Sequence, residues 1–274
     1  MASFSLPKIN DIVLSNCSDL MTILKWNKAN GISLFRISSE IFPFMDHPDF
    51  AYTIDKLKDS DKIASILAEC GKFARDNGIR LTTHPGPYNC LGSPNDFTVK
   101  KTLLCIDMHA LLGELLGMED FIINLHVGGS YGGDFEATSE RFCTNFGLLT
   151  DNAKKWLTVE NDDKPSMWSV TKLYSYIHNK IGIPIVFDHH HWLFCHENSA
   201  ETDMDCALST WDNMVPKVHY SESADGKRPQ AHSDYLKNVI PDYCPSIAYD
   251  CMIEAKAKEL AVLKYKNENI ITAL

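Results

Sequence analysis

Four turn signals, Asn30-Gly31, Asn77-Gly78, Gly117 and Gly182, each stand between a helical pattern and a short apolar run. Glycine past a helix end adopts the left-handed backbone that turns the chain back. This rhythm predicts alternating helices and buried strands, the signature of parallel β/α units. Helices are expected from Ser18 to Ala29, around Ile63 to Phe73, from Phe97 to Leu116, Ser139 to Trp156, Ser169 to Lys180 and in 199–211. Strands are expected at Ile32–Ser38, Ile79–Thr83, Phe121–Val127, Leu157–Glu160, the run ending at Asp188, Met214–Tyr220 and Ile247–Ile253. An eighth, weaker strand pattern lies at Ile9–Leu14. Eight units make a TIM barrel, and an open doubly wound sheet is the rival. No linker or repeat divides the 274 residues, so a single domain is expected over 1–274, with 1–16 an atypical N-terminal segment.

The densest chemistry sits in Pro184-Ile-Val-Phe-Asp-His-His-His-Trp192. An apolar run ends abruptly in one carboxylate and three imidazoles. Strand alternation puts Val186, Asp188 and His190 on one face, with His191 in the following turn. Asp188 and His191 can then converge on a metal, because unpaired carboxylates and imidazoles are costly to bury. A surface histidine run is the plainer alternative.

The same pattern recurs along the chain. His84, His126, Glu160, Asp188 with His191, Lys217 with His219, and Glu254 fall at successive strand ends. In a TIM barrel those ends meet at the rim that holds the active site. His47 and His232, in loops, can reach it. Each residue has a structural alternative: a hydrogen-bonded His84, a capping Glu160, a surface Lys217, a helix-starting Glu254. Their joint placement favours metal. Imidazole with carboxylate suits Mn, Zn, Fe or Co, and the donors are too many for one ion, so two or three are expected. Gly128-Gly-Ser-Tyr-Gly-Gly133 is neither a P-loop nor a dinucleotide fingerprint, so no nucleotide cofactor is expected.

Composition narrows the class. Nine scattered cysteines without CxxC suggest reduced thiols. The sequence lacks a membrane-length apolar run and a signal-peptide pattern, so a soluble intracellular protein without membrane association is expected. A net charge of −10 argues against broad nonspecific nucleic-acid affinity but allows a DNA enzyme whose acids hold metal.

The ordered series Phe35-Arg-Ile-Ser-Ser39, His84-Pro-Gly86, Leu125-His-Val-Gly-Gly129, Glu160-Asn-Asp-Asp163, Asp188-His-His-His191, Lys217-Val-His219 and Glu254-Ala-Lys-Ala-Lys-Glu259 resembles the UV damage endonuclease family. The resemblance implies a TIM barrel that nicks damaged double-stranded DNA immediately 5′ of pyrimidine photodimers, leaving a 3′-hydroxyl and a 5′-phosphate. It implies metal ligands at His84, His126, Glu160, Asp188, His191, His219, His232 and Glu254, with manganese the usual ion. Glu160 and Asp188 would bridge ions, Lys217 matches a position that can carry a carboxylated lysine, and His47 matches a site histidine. Two departures stand out. The family's lesion-probing glutamine-tyrosine pair is Pro87-Tyr88 here, and proline offers no amide donor. The family's first barrel strand has no clear match within Met1 to Asn16, so it is missing or divergent. The competing functions are a metal-dependent sugar isomerase or epimerase, in which proton shuttling replaces phosphate attack, and a non-catalytic DNA-damage binder.

Overall fold

The computed structural model describes residues 4–212 and 214–269, so Met1–Ser3 of the atypical N-terminal segment lie outside the described residues. The chain forms two compact units. One holds the residues up to Gly128 together with Arg141–Leu157; the other holds Gly129–Glu140 and the chain from Thr158 onward.

In the first unit, β1 (Leu34–Arg36), β2 (Arg80–Thr83) and β3 (Ile122–His126) pair in parallel and in chain order. The helices α1 (Leu6–Ala29), α2 (Ser60–Asp76) and α3 (Asp96–Leu115) alternate with them. Ile9, Val13, Cys17, Leu20 and Leu24 of α1 and Ile63, Leu67 and Cys70 of α2 are buried at helical spacing. One polar pair, buried Asn10 with half-buried Asp59, sits among them. Asn10 donates to Asp59 Oδ2 (2.7 Å), and its own Oδ1 accepts the Asp59 N–H (2.9 Å). A side chain from α1 thus satisfies a backbone donor at the entry to α2, whose N-cap makes no side-chain capping bond of its own.

In the second unit, β4 (Leu157–Glu160), β5 (Ile185–Asp188), β6 (Lys217–Tyr220) and β7 (Asp250–Ile253) are also parallel and consecutive. Ile185, Val186 and Phe187 are buried on both faces of the sheet, as a central parallel strand requires. Register places Asp188 opposite His219, and Glu160 opposite Val186.

The expected α/β class holds, with three corrections. Ile9–Leu14 is not a strand: α1 starts at Leu6, where Ser5 Oγ caps Lys8 N–H (3.4 Å) and Pro7 occupies the first turn. The expected start at Ser18 was therefore three turns late. The single helix expected over Ser139–Trp156 is two, α4 (Phe135–Phe146) and α5 (Asp151–Trp156). Gly147 ends the first, and Thr150 starts the second with its hydroxyl and N–H both donating to Asp107 Oδ1 (2.9 and 3.1 Å). Ser169 caps α6 (Val170–Leu173), which passes through a wider π turn at Tyr174–His178 into α7 (Asn179–Ile181). Finally, β5 stops at Asp188, and α8 (His189–Trp192) is a helical turn. His190 therefore does not share a strand face with Asp188.

The remaining helices are α9 (Ala200–Leu208) and α10 (Glu259–Asn269). No helix among the described residues is long and apolar enough to cross a membrane.

Candidate metal centre

Asp188 does two jobs with its two oxygens. Oδ1 accepts the His191 N–H (2.7 Å) and so caps the turn α8. This capped turn, rather than strand alternation, is what brings His191 back beside Asp188. Oδ2 is buried with no hydrogen-bond donor, with the imidazole Nδ1 atoms of His219 and His191 3.8 and 3.9 Å away. An anionic oxygen left in that state is costly unless a cation meets it.

Around it the second unit gathers Glu160, His191, His219, His232 and Glu254. His219 Nδ1 lies 3.2 Å from Glu160 Oε1 and 3.2 Å from Glu254 Oε1. His191 Nδ1 lies 3.3 Å from Glu160 Oε1, and His232 Nδ1 lies 4.0 Å from Glu254 Oε2. Asp188, His219 and Glu254 each offer a donor atom, and the three atoms lie within 4.8 Å of one another. Asp188, Glu160 and His219 are fully buried.

The electrostatics follow from burial. Desolvation pushes the Asp188 carboxyl up, and the Glu160 and Glu254 charges add to it, although His191 works the other way. Burial alone would lower His191, but the Asp188 and Glu160 carboxylates and the Asn161 carbonyl together raise it to about 11. Burial lowers His219 despite its two acidic neighbours, and the Lys217 charge lowers it further. Burial thus favours the protonated Asp188 carboxyl, and the neighbouring carboxylates favour the protonated His191 ring.

Three histidines have one ring nitrogen already committed. Nδ1 of His191 meets the Asn161 carbonyl (2.9 Å), that of His232 the Glu254 carbonyl (2.8 Å), and that of His84 the Pro85 carbonyl (3.1 Å). A carbonyl only accepts, so Nδ1 carries a proton in each, and Nε2 is the ring nitrogen that would ligate a metal, His191 giving up a proton to do so. His178 and His196 make the same bond to Ile183 and Trp192 carbonyls. The bond alone is therefore no signature; the surrounding carboxylates distinguish His191 and His232. The donor set of carboxylate and neutral imidazole fits divalent transition ions.

Asn161 is a residue whose role the sequence reading did not assign. It is fully buried, accepts the Asp188 N–H (2.8 Å), donates to the Asp188 carbonyl (3.0 Å) and orients His191 through its own carbonyl. Its only signal was its place directly after Glu160.

Two structural alternatives fall away. Lys217 is fully buried on β6 rather than on the surface. Glu254 follows β7 and does not start a helix, because α10 begins at Glu259.

In the first unit, His84 and His126 follow or end β2 and β3, with ring centroids 5.4 Å apart. His47 Nδ1 accepts the Asp49 N–H (3.1 Å), and its ring packs 4.7 Å from Phe50. His47 and Tyr88 line one cavity of about 190 Å³, while Pro87 is exposed beside it. The Tyr88 ring folds over Gly86, where a Cβ would come within 2.6 Å of it, and Lys101 Nζ lies 4.7 Å from the ring centroid.

The UV-endonuclease UvdE family matches residues 2–271. The chain belongs to this family. The UV-damage endonuclease of Neurospora crassa is 34% identical over 93% of this chain and 40% of its own length. The UV DNA damage endonuclease of Bacillus anthracis is 30% identical over 95% of this chain and 83% of its own length. The chain thus spans about two-fifths of the Neurospora relative. The crystal structure of SacUVDE superposes with a TM-score of 0.87 at 32% identity, covering 100% of this chain and 92% of that one. These likenesses make the fold a TIM barrel. Endonuclease IV of Thermus thermophilus (12% identity, TM-score 0.61) and a 3-keto-D-glucoside 4-epimerase (10%, 0.62) share the fold alone.

Proposed function

We propose that this chain is a metal-dependent DNA repair endonuclease that nicks the strand 5′ of UV photoproducts. The observation that carries the reading is the buried Asp188–His219–Glu254 group, with its orphaned Asp188 oxygen, in a member of the UvdE family. In this reading His84, His126, Glu160, Asp188, His191, His219, His232 and Glu254 would hold the metal, with Glu160 and Asp188 the carboxylates that would be shared between ions. Two or three divalent ions, manganese foremost, would supply a water nucleophile at neutral pH and charge stabilisation on the phosphate.

The chain's own residues prepare that chemistry. Asn161 and the α8 turn fix Asp188 and His191. Lys217, buried two residues before His219, places a lysine beside the ligands. His47 contacts the reacting strand from its loop. Tyr88, more than half exposed at 57%, fills the stack left by a displaced base, and Pro87 stiffens the approach without offering a donor. Damaged double-stranded DNA is the partner, since a poorly stacked photodimer is cheaper to extrude than a normal pair of bases. A sugar epimerase is the weaker reading, because the epimerase likenesses share fold alone.

The test uses supercoiled plasmid, irradiated or not, with manganese. Relaxation of the irradiated plasmid only, abolished by Glu160→Gln, is the expected result. A folded, manganese-loaded chain that leaves irradiated plasmid supercoiled would overturn the reading.

A further inference from the structure

We propose that Phe44 is a second base-stacking residue, so that the cavity shared by Phe44, His47 and Tyr88 takes one unstacked nucleobase of the DNA strand. This rests on the endonuclease reading and adds to it a contact that the sequence did not suggest.

The argument starts from the backbone. Ile41, Phe42 and Met45 are buried, yet Phe44 between them is 49% exposed. Its φ is 63°, a left-handed conformation that is uncommon for any side chain other than glycine and unusual for a bulky aromatic one. That twist turns the ring out of a segment whose other apolar side chains point in. The ring is nonetheless held. It meets Phe50 edge-on at 6.2 Å and Phe4 edge-on at 6.3 Å, and Phe4 and Phe50 stack at 5.2 Å. A half-exposed aromatic ring held by two neighbours is a prepared stacking surface, because little freedom is lost when a flat ligand covers it.

The cavity behind it sets the ligand class. Its volume of about 190 Å³ is below the range usual for drug-sized ligands and suits one flat ring system. Glu40 and Asp46 line it, and carboxylates are acceptors for the amino and imino N–H groups of a base. Lys101, over the Tyr88 ring, supplies a cation for the neighbouring phosphate. Exposed rings with a lysine beside them are the features by which proteins hold single-stranded nucleic acid.

The experiment titrates the full chain, in EDTA, into a single-stranded oligonucleotide carrying one 2-aminopurine, whose fluorescence falls on stacking. Phe44→Leu keeps the apolar contact with Phe4 and Phe50 but removes the ring face; Phe44→Trp keeps the face. Phe44→Leu is expected to bind roughly 5- to 100-fold more weakly with the quench reduced, and Phe44→Trp to retain both. Thermal melts by circular dichroism establish that both variants are folded. Equal affinity and quench in folded Phe44→Leu would overturn the inference. The unaltered chain nicking irradiated plasmid in the same preparation keeps the two claims apart. Nicking with an unchanged Phe44→Leu titration refutes only the stacking role, and absence of nicking refutes the endonuclease reading on which it stands.

Discussion

At the residue scale, Asp188 carries the account, because one side chain both caps a turn and leaves an oxygen for a cation. Asp188→Asn keeps an oxygen able to cap the His191 N–H but loses the charge. It is expected to melt within about 1 kcal/mol of the unaltered chain, since a neutral cap replaces a charged one. Its bound manganese, measured by elemental analysis after desalting, should fall by at least one ion per chain. Asp188→Ala should lose the metal and about 1–2 kcal/mol more, through the uncapped turn. His109 offers a different test. It is fully buried, its Nδ1 donates to the Cys105 carbonyl (2.7 Å), and burial lowers it to about 4. Between pH 6.5 and 4 the unfolded chain binds a proton there that the folded chain refuses. Stability contributed by the neutral ring is therefore complete above 6.5 and falls as the pH drops, by about 3 kcal/mol in full. His109→Asn should flatten the fall of melting temperature across that window. An unchanged profile would place the acid sensitivity elsewhere.

At the scale of elements, close approach decides what the helices tolerate. A Cβ on Gly71 of α2 would sit 1.7 Å from the Leu116 carbonyl oxygen just past α3, a clash with backbone rather than with a movable side chain. Gly71→Ala should therefore destabilise by 2 kcal/mol or more in urea unfolding, although alanine is the better helix former in isolation. Asn10→Leu should cost about 1–3 kcal/mol, because it leaves the Asp59 N–H without its acceptor.

The same elements show how far the sequence could be read. Strand ends were legible wherever an apolar run stopped at a histidine or acid, as at His126, Glu160 and Asp188. The start of α1 was not, because Ile9 to Leu14 carries an apolar pattern short enough to read as a strand, and a polar Asn10 is buried within it. The turn that carries His191 was legible, but its start was not: alternation put His190 on the strand face, whereas the Asp188 cap already opens α8 at His189. Phe44 was illegible for another reason: nothing in Phe-Pro-Phe-Met says which aromatic ring the backbone will turn outward.

At the scale of the molecule, the proposed reading asks a chain of net charge −10 to hold a polyanion. Metal offsets part of this: three of the acids counted in the net charge, Glu160, Asp188 and Glu254, are ones that the ions would neutralise. Affinity for irradiated duplex should therefore rise when manganese replaces EDTA, and its dependence on salt should stay shallow, with few phosphate contacts released. Nitrocellulose filter binding between 50 and 200 mM salt reads both. Affinity that is indifferent to metal would place the DNA surface away from the acids.

The most direct test of the central claim maps the cut itself. A 5′-labelled duplex oligonucleotide with one cyclobutane dimer is incubated with the chain and manganese, and the product is sized and offered to a DNA polymerase. The account predicts one nick immediately 5′ of the dimer, with a 3′-hydroxyl that the polymerase extends and no product from Glu160→Gln. A cut elsewhere, an end that cannot be extended, or equal cutting of the undamaged duplex would contradict it.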